Sequence, residues 1–315
     1  MTDLSYNLSP VLKDRLEKAD TLRKEILLAP IPPSLKLKLH WNTLIDRIVN
    51  SLALSEIEVK KTEIVKVLSS YGTGLGEARS EEAQDIVNYK KAFDYIQHNW
   101  LVSKRNVTVK DILILYDIVS DGELLITQAS LQEILDYVQA RDDHPIIQGG
   151  LASIGTLKAQ PFSTDNEKLS RLIYYLFFYK YGYDILGFIE LEEVWVENKV
   201  GYLESLRIGV NATSVTIWLE FFANSVVLQL ESVYKSIESG SSESWERNDS
   251  TSEISDRQKK ILSLIDQPGS TITNRTVQKK FNVSQITASR DLSKLTLLGL
   301  LFHHGKGRSV YYTRV

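Results

Sequence analysis

A serine-rich, acidic stretch between residues 236 and 255 limits how this chain can fold more than any other feature. It reads SIESGSSESWERNDSTSEIS, with nine Ser or Thr, five acidic residues and one Arg among its 20 residues. Such a composition cannot bury enough apolar surface to order a chain, so we expect a flexible linker. The chain therefore divides into a large unit before the linker and a small unit after it.

The two units carry opposite charge. From Asp256 to Val315 there are 11 Lys and Arg against 3 Asp and Glu, a net charge of +8. The preceding 255 residues carry 26 basic against 37 acidic residues, a net charge of −11. An excess of +8 in so short a segment favours an anionic partner for the small unit. The overall charge of −3 conceals this local excess.

The large unit is a succession of helical patterns. Apolar residues recur at helical spacing in segments such as VKDILILYDIVS and VTIWLEFFANSVVLQLESVYKSI, without sustained strand alternation or an internal repeat. Prolines at 30, 32 and 33 interrupt the first helix. The predicted fold class is mainly α, divided into an N-terminal helical extension (1–33), a helical bundle (34–235), the linker (236–255) and a small α domain with a β-wing (256–315).

Cysteine content and hydropathy exclude several classes of protein. The chain has no cysteine, so it has no disulfide framework, thiolate metal cluster or cysteine nucleophile. The first residues are charged, and no run of about 18 residues lacks Asp, Glu, Lys and Arg, which argues against a signal peptide or a membrane span. We expect a cytoplasmic protein.

Local signals in the small unit predict a helix-turn-helix. Thr273 is an N-cap before NRTVQKKF, Asn282 and Val283 make a tight turn, and Ser284 caps a second helix, SQITASRDLSKLTLLGL. Gly299 ends that helix, and two strand-like runs then surround the turn GKGR. We expect the core face of this second helix to carry Ile286, Leu292, Leu295 and Leu298. Side chains that can meet base edges and phosphates then lie outside: Gln285, Thr287, Ser289, Arg290 and Lys294.

The segment NVSQITASRDLSKLTLLGLLFHHGKGRSVYY resembles the winged-helix DNA-binding domains of bacterial regulators. The resemblance implies that the second helix enters a major groove of double-stranded DNA, and that Lys306 and Arg308 on the wing contact backbone or minor groove. Winged helices also serve as protein-contact modules, whose basic residues are only a solvated face. The charge of +8 exceeds what solubility requires and favours DNA.

The loop QPFSTDNEKLSR, residues 160–171, lies between two apolar helical stretches. A helix begins within it, near Asp165 or Asn166, and a helix N-terminus attracts anions through its free N–H groups and its dipole. Asp165 and Glu167 nevertheless place two carboxylates there, which stabilise the helix but repel a phosphate. Local reasoning therefore favours a capped helix over a phosphate site.

The order of segments over residues 30–235, with HPII before the central helix, PF in the loop and RLIYYLFFYKYGYD after it, resembles the Fic family. Active members transfer AMP from ATP to a protein hydroxyl, and their motif reads His-Pro-Phe-x-Asp/Glu-Gly-Asn-Gly-Arg-x-x-Arg. The loop fits this spacing without a gap and keeps Pro161, Phe162, Asn166 and Arg171. The other positions differ: Gln160 replaces the general-base His, Thr164 the magnesium-binding carboxylate, Asp165 and Glu167 the two glycines, and Lys168 the first Arg.

Each departure removes a capability that the resemblance implies. A glutamine amide cannot take the proton of the target hydroxyl, a step that typically contributes about 10²–10⁴-fold. Thr164 lacks the anionic oxygen that favours Mg²⁺, and acids in place of glycines hinder the close approach of a phosphate. We therefore expect no catalytic residue, no metal site and no cofactor; ATP and Mg²⁺ enter only if the chain is a divergent enzyme.

Many Fic proteins also carry an inhibitory helix whose Glu pairs with the last Arg of the motif. The segment SLALSEIEV places Glu58 at that position, although Leu54 and Val59 differ from the usual Ser and Gly. The resemblance thus implies a Glu58–Arg171 ion pair with a structural role. The simpler interpretation is that Glu58 is a surface residue.

Two functions follow from this sequence. The first is a DNA-binding regulator whose Fic-like bundle is catalytically degenerate and serves in sensing, dimerisation or partner binding. The second is a divergent nucleotide-dependent protein AMP-transferase that uses Gln160, Asp165 and Glu167 in an unfamiliar way. The missing base and glycines favour the first. Its expected partner is double-stranded DNA, a second copy of the chain is a further candidate, and no membrane is expected.

Overall fold

The computed structural model describes residues 4–70, 80–184, 186–242, 254–265, 270–297, 300–304 and 310–314. The mainly α fold class is confirmed. None of the helices in this part of the chain has the length and apolar character to cross a membrane. The helices up to residue 242 are α1 (Pro10–Leu28), α2 (Pro33–Leu54), α3 (Lys61–Ser70), α4 (Glu81–Trp100), α5 (Val109–Val119), α6 (Gln128–Gln139), α7 (Pro145–Ala159), α8 (Asn166–Lys180), α9 (Glu192–Glu197), α10 (Lys199–Asn211) and α11 (Thr216–Ser242).

Polar N-caps and prolines fix where many of these helices begin. Ser9, Ser80 and Thr127 accept backbone hydrogen bonds from the first turns of α1, α4 and α6. The carboxylate of Asp111 accepts from the N–H of Thr108, the cap of α5, at 3.0 Å. Proline stands in the first turn of α1, α2 and α7, where its missing N–H costs no hydrogen bond.

Helices α7 and α8 form the centre of the bundle, and nearly all their side chains are buried. Two glycines of α7 permit close packing. A Cβ at Gly149 would meet Phe178 at 3.0 Å, and one at Gly150 would meet Leu219 at 2.8 Å. The loop between α7 and α8 is therefore carried by two tightly packed helices.

An aromatic cluster fills the space between α8, α9 and α11. Tyr174 packs edge-to-face on Trp195 and Phe222, with centroid distances of 5.6 and 5.5 Å. Trp195 also stacks on Tyr202 at 4.9 Å. The aromatic run of α8 belongs to the core, since all its members are buried: Tyr174, Tyr175, Phe177, Phe178 and Tyr179.

Helix α1 packs along α11 and closes the bundle. The hydroxyl of Ser9 donates to Glu220 at 2.5 Å, and Nζ of Lys18 lies 2.6 Å from Oε1 of Glu231. The apolar face of α1 joins the same hydrophobic core as the helices that follow. Residues 4–33 of the predicted extension are therefore an integral part of the bundle.

Helix α11 extends to Ser242, so the expected flexible linker is helical over residues 236–242. Ile237 is buried against the bundle. The hydroxyls of Ser236 and Ser239 donate to the carbonyls of residues 232 and 235, one turn earlier. The burial of Ile237 outweighs the modest helix preference of the serines, whose hydroxyls are satisfied within the helix. Residues 243–253 of the linker lie outside the described residues.

The C-terminal domain has its own hydrophobic core, to which Ala288, Leu292 and Leu295 contribute together with residues such as Ile261 and Ile272. Its elements are α12 (Asp256–Ser263), β1 (Thr271–Ile272), α13 (Asn274–Phe281), α14 (Gln285–Leu297), β2 (Leu301–His304) and β3 (Tyr311–Arg314). Strand β3 lies between β1 and β2 and is antiparallel to both. The two strand-like runs of the sequence are confirmed as β2 and β3, whereas β1 was not predicted.

Local caps build the helix-turn-helix as predicted. Oγ1 of Thr273 accepts from the N–H of Thr276 at 3.2 Å, and Oγ of Ser284 accepts from the N–H of Thr287 at 3.2 Å. Asn282 turns the chain between the helices with a left-handed φ of 49°.

The prediction that Ile286 faces the core is wrong. Its side chain is 55% exposed, while Leu292 and Leu295 are buried. Because an α-helix turns about 100° per residue, Ile286 projects about 180° away from Leu295. Residues 298 and 299, the expected end of this helix, lie outside the described residues.

The C-terminal domain contacts the bundle. Helix α14 lies against α3, and the ring of His304 on β2 meets that of His98 near the end of α4 at a centroid distance of 5.8 Å. Ile254 and Leu300 pack against both hydrophobic cores. The two units are therefore in direct contact as well as linked by the chain.

Candidate functional site

A left-handed residue stands at each end of the loop between α7 and α8. Gln160 ends α7 with φ 40°, and Asp165 precedes α8 with φ 55°. Aspartate is among the few residues besides glycine that adopt this conformation. The side chain of Asn166 fixes the loop, since its Oδ1 accepts from the N–H of Phe162 at 3.0 Å and its Nδ2 donates to the Phe162 carbonyl at 2.7 Å. The turn is thus held without either glycine of the Fic motif.

The segment 123–125 crosses this loop and pairs with it. The N–H of Leu125 donates to the carbonyl of Pro161 at 2.7 Å, and the N–H of Ser163 donates to the carbonyl of Glu123 at 2.9 Å. The N–H of Glu123 in turn donates to Oγ of Ser163 at 2.9 Å. These bonds occupy the backbone groups on this edge of the loop. A strand of another protein could pair with the same groups only by displacing the segment 123–125.

Neutral side chains occupy the two positions where the Fic motif has its general base and its metal-binding carboxylate. Gln160 and Thr164 are both exposed. The ring of Phe162 stacks on Tyr116 at a centroid distance of 3.5 Å, and the Tyr116 hydroxyl donates to the carbonyl of Thr164 at 2.9 Å. Oγ1 of Thr164 lies 3.3 Å from Oγ of Ser120. An amide and three hydroxyls thus stand at this part of the loop.

A carboxylate occupies the entrance to α8. Oδ2 of Asp165 accepts from Oγ of Ser120 at 2.7 Å, and its Oδ1 lies 3.0 Å from Nζ of Lys168. Burial would raise the pKa of Asp165, but the hydrogen bonds from Ser120 and Lys168 together lower it below its ordinary value. Asp85 lies 3.8 Å from the same ammonium group. Lys168 is therefore engaged by two carboxylates, and the N-terminus of α8 faces the negative charge of Asp165.

Arg171, the retained last residue of the motif, is buried in α8 and bonds to α2. Its Nη2 donates to Oγ of Ser55 at 2.5 Å and to the carbonyl of Ser51 at 3.3 Å. An oxygen of Glu167, one turn earlier on α8, lies 3.9 Å from Nη1. Arg171 thus ties the end of α2 to the central helix.

The predicted Glu58–Arg171 ion pair is wrong. Glu58 is exposed, and no ion pair joins it to Arg171 within the described part of the chain. Helix α2 ends at Leu54, and Glu56 turns the chain with φ 62°. Glu58 therefore lies on the surface segment that leads into α3, beyond the point where α2 approaches Arg171.

Two buried carboxyls beside α9 were missed by sequence reasoning. Glu192 accepts from the hydroxyls of Tyr174 and Tyr175 at 2.9 and 2.6 Å, and Glu190 accepts from Nδ2 of Asn50 at 3.3 Å. Burial raises the pKa of both carboxyls above the ordinary value. The only signal in the sequence was the alternation of acidic and apolar residues in FIELEEVW. Both lie inside the bundle core.

On α14, Gln285 and Arg290 project into solvent. Thr287 is half-buried and bonds to its own N-cap, with its Oγ1 2.9 Å from Oγ of Ser284. Lys294 is also half-buried. The surface open to a partner is therefore concentrated in the first half of the helix.

Ser289 has a structural partner across the turn. Its Oγ accepts from Nδ2 of Asn274 at 2.9 Å, which ties α14 to the start of α13. We expect this bond to orient the helix more than to read DNA. Lys306 and Arg308, the wing candidates, lie outside the described residues.

Sequence reasoning missed the cations of α13. Arg275, Lys279 and Lys280 are all exposed on this first helix of the motif, which in helix-turn-helix proteins crosses the DNA backbone. The KK pair in NRTVQKKF was their signal. By contrast, Arg257 is paired with Asp291, 2.5 Å apart, and its charge stabilises the domain itself.

Comparison with solved structures shows that the bundle has the fold of Fic family proteins. A Fic family protein from Desulfovibrio desulfuricans G20 matches 99% of this chain and 98% of its own, with a TM-score of 0.59 and 14% identity. A fragment of Fic-1 from C. elegans matches 71% of each chain, with a TM-score of 0.53 and 12% identity. A Fic domain containing signaling protein from Bacteroides thetaiotaomicron VPI-5482 matches 76% of this chain and 100% of its own, with a TM-score of 0.52 and 18% identity.

The C-terminal domain matches a sequence family. The model of the DeoR-like helix-turn-helix domain family matches residues 257–313. A search of curated proteins finds no match to the sequence. The chain thus combines a Fic-type helical fold with a C-terminal helix-turn-helix domain, and the resemblance of each part is confirmed at the level of the fold.

Proposed function

We propose that this protein is a DNA-binding regulator whose Fic-type bundle does not transfer AMP. The observation that carries the proposal is the exposure of Gln285 and Arg290 on the second helix of a helix-turn-helix domain. Amide and guanidinium groups are the side chains that commonly read adenine and guanine in a major groove. The net charge of +8 from Asp256 to Val315 adds attraction to phosphates.

The loop between α7 and α8 supports the second half of the proposal. Asp165 holds a negative charge where a nucleotide phosphate would need free N–H groups, and its cationic neighbour Lys168 is engaged by carboxylates. Gln160 and Thr164 supply neither a base nor an anionic metal ligand. The bundle instead serves as a sensing or partner-binding module for the DNA-binding domain, which it contacts through α3 and His98.

Binding of the full chain to a random duplex library at low salt tests the proposal. We expect retention of duplexes and enrichment of a preferred sequence. On that sequence, Arg290→Ala should weaken binding roughly tenfold or more and relax preference at one base pair, because the variant cannot make a bidentate contact to guanine. Arg207→Ala is the matched control, since it removes an exposed cation from α10 of the bundle and should leave the affinity unchanged. A full chain that retains no duplex rejects the DNA-binding function.

A second expected result is the absence of AMP transfer. With ATP labelled on the α-phosphate and Mg²⁺ or Mn²⁺, neither the chain nor lysate proteins should become labelled, while an active Fic protein labels its targets in the same lysate. Gln160→His should remain inactive, because the imidazole restores a base but leaves the charge of Asp165 in place. Robust labelling that disappears in Gln160→Ala would establish the alternative, a divergent AMP-transferase.

A further inference from the structure

The first turn of α14 presents an apolar side chain to solvent. Ile286 is 55% exposed, and of the large apolar side chains described after residue 254 only Tyr311 is also exposed, at 39%. Tyr311 has a partner, since its ring stacks on His304 at 4.8 Å. Ile286 therefore stands out as an apolar group on the surface that the proposed function assigns to DNA.

The neighbours of Ile286 define the face on which it lies. Ala288 and Leu292 are fully buried in the domain core, which fixes the rotation of the helix. Arg290 follows Ile286 by four residues, so the two side chains lie on the same face about one turn apart. Gln285, adjacent in sequence, is exposed as well. The open face thus combines one amide, one apolar group and one guanidinium.

In a major groove, each of these three side chains contacts a different chemical group of the bases. An amide and a guanidinium pair with the polar edges of adenine and guanine, whereas a branched apolar side chain has one partner there, the C5-methyl group of thymine. The N-terminal residues of a recognition helix are the ones that contact base edges. One helical turn rises about 5.4 Å, and successive base pairs are about 3.4 Å apart. Ile286 and Arg290 therefore address positions one to two base pairs apart.

We propose that Ile286 is a specificity-determining residue that packs on the methyl group of a thymine, one to two base pairs from the base that Arg290 reads. The inference rests on the proposed DNA-binding function and names part of its target. It also explains why an isoleucine remains on the surface of a domain whose other described aliphatic side chains lie in or against its core.

Replacement of single thymines by uracil tests this contact, since uracil lacks only the methyl group and keeps the same hydrogen-bonding edge. In the preferred duplex of the full chain, we expect one thymine per bound domain whose replacement weakens binding roughly fourfold, the effect of one buried methyl group. Ile286→Ala should bind more weakly and be indifferent to uracil at that position. Ile286→Val should retain part of the sensitivity. Arg290→Ala is the matched control and should keep the sensitivity to uracil.

The outcomes separate the two proposals. If wild type and Ile286→Ala bind DNA and show the same weakening on every uracil replacement, the thymine contact is overturned and the DNA-binding function stands. The same holds if no uracil replacement weakens the wild type. If the full chain retains no duplex, both proposals fall. Because Ile286 lies on the surface, its variants should show the wild-type melting temperature, which confirms that they are folded.

Discussion

Replacing Asp184 by alanine is expected to lower the free energy of unfolding of the bundle by about 3–5 kcal/mol. Asp184 forms an ion pair with Arg47, with Oδ2 and Nη2 2.6 Å apart and side chains that are 2% and 4% exposed. The substitution leaves the guanidinium buried without its counter-charge. It also removes the oxygen that accepts from the N–H groups of Phe188 and Ile189.

Urea unfolding of the full chain, followed by circular dichroism, measures this change. Glu204→Ala is the matched control, because Glu204 pairs with Arg207 at 2.7 Å on the exposed face of α10. Exposed pairs contribute little, so this variant should unfold close to wild type. Equal effects of the two substitutions would show that the buried pair is not a principal support of the fold.

The second large effect is expected in the salt dependence of DNA binding. The C-terminal 60 residues carry 11 Lys and Arg, and each phosphate that a cation neutralises adds about −0.9 to the slope of log affinity against log salt concentration. With six neutralised phosphates, affinity should fall about 10³-fold between roughly 50 and 200 mM salt. Anisotropy titrations of the full chain on its preferred duplex at four or more salt concentrations give this slope.

Variants of α13 show whether the slope arises in the helix-turn-helix domain. Lys279→Gln together with Lys280→Gln should reduce its magnitude by about 1 for each phosphate that is no longer neutralised. Lys199→Gln, an exposed change on α10, should leave it unchanged. A slope near zero for the wild type, or an equal reduction by the α10 variant, would contradict binding through phosphates by this domain.

Local features of the sequence predicted much of the C-terminal domain. Thr273 and Ser284 cap its helices and Asn282 makes the turn, because these preferences act within a few residues. The wrong prediction for Ile286 shows that an apolar residue type alone does not place a side chain on the core face of a helix. Its angle relative to Leu295, about 180° at about 100° per residue, was available from the sequence and indicates the exposed face.

Contacts between distant segments were not predictable in the same way. Arg47 and Asp184 are separated by 137 positions, and nothing local to either residue marks it as buried. Glu58 was placed by alignment to a motif, but its surroundings depend on where α2 ends and on the turn at Glu56. The start of α8 near Asp165 or Asn166 was predicted correctly, since a helix start is set by nearby residues.

The packing of α1 on α11 sets the order in which the chain can fold during synthesis. Ser9 bonds to Glu220, 211 positions later, so α1 cannot complete its contacts until almost the whole bundle has left the ribosome. Contacts of such long sequence separation carry a large loop-closure entropy and form late. The C-terminal domain, whose core joins residues from 261 to 312, closes over much shorter distances. The bundle therefore completes its packing only after α11 has emerged, and the C-terminal domain can close within the next short stretch of chain.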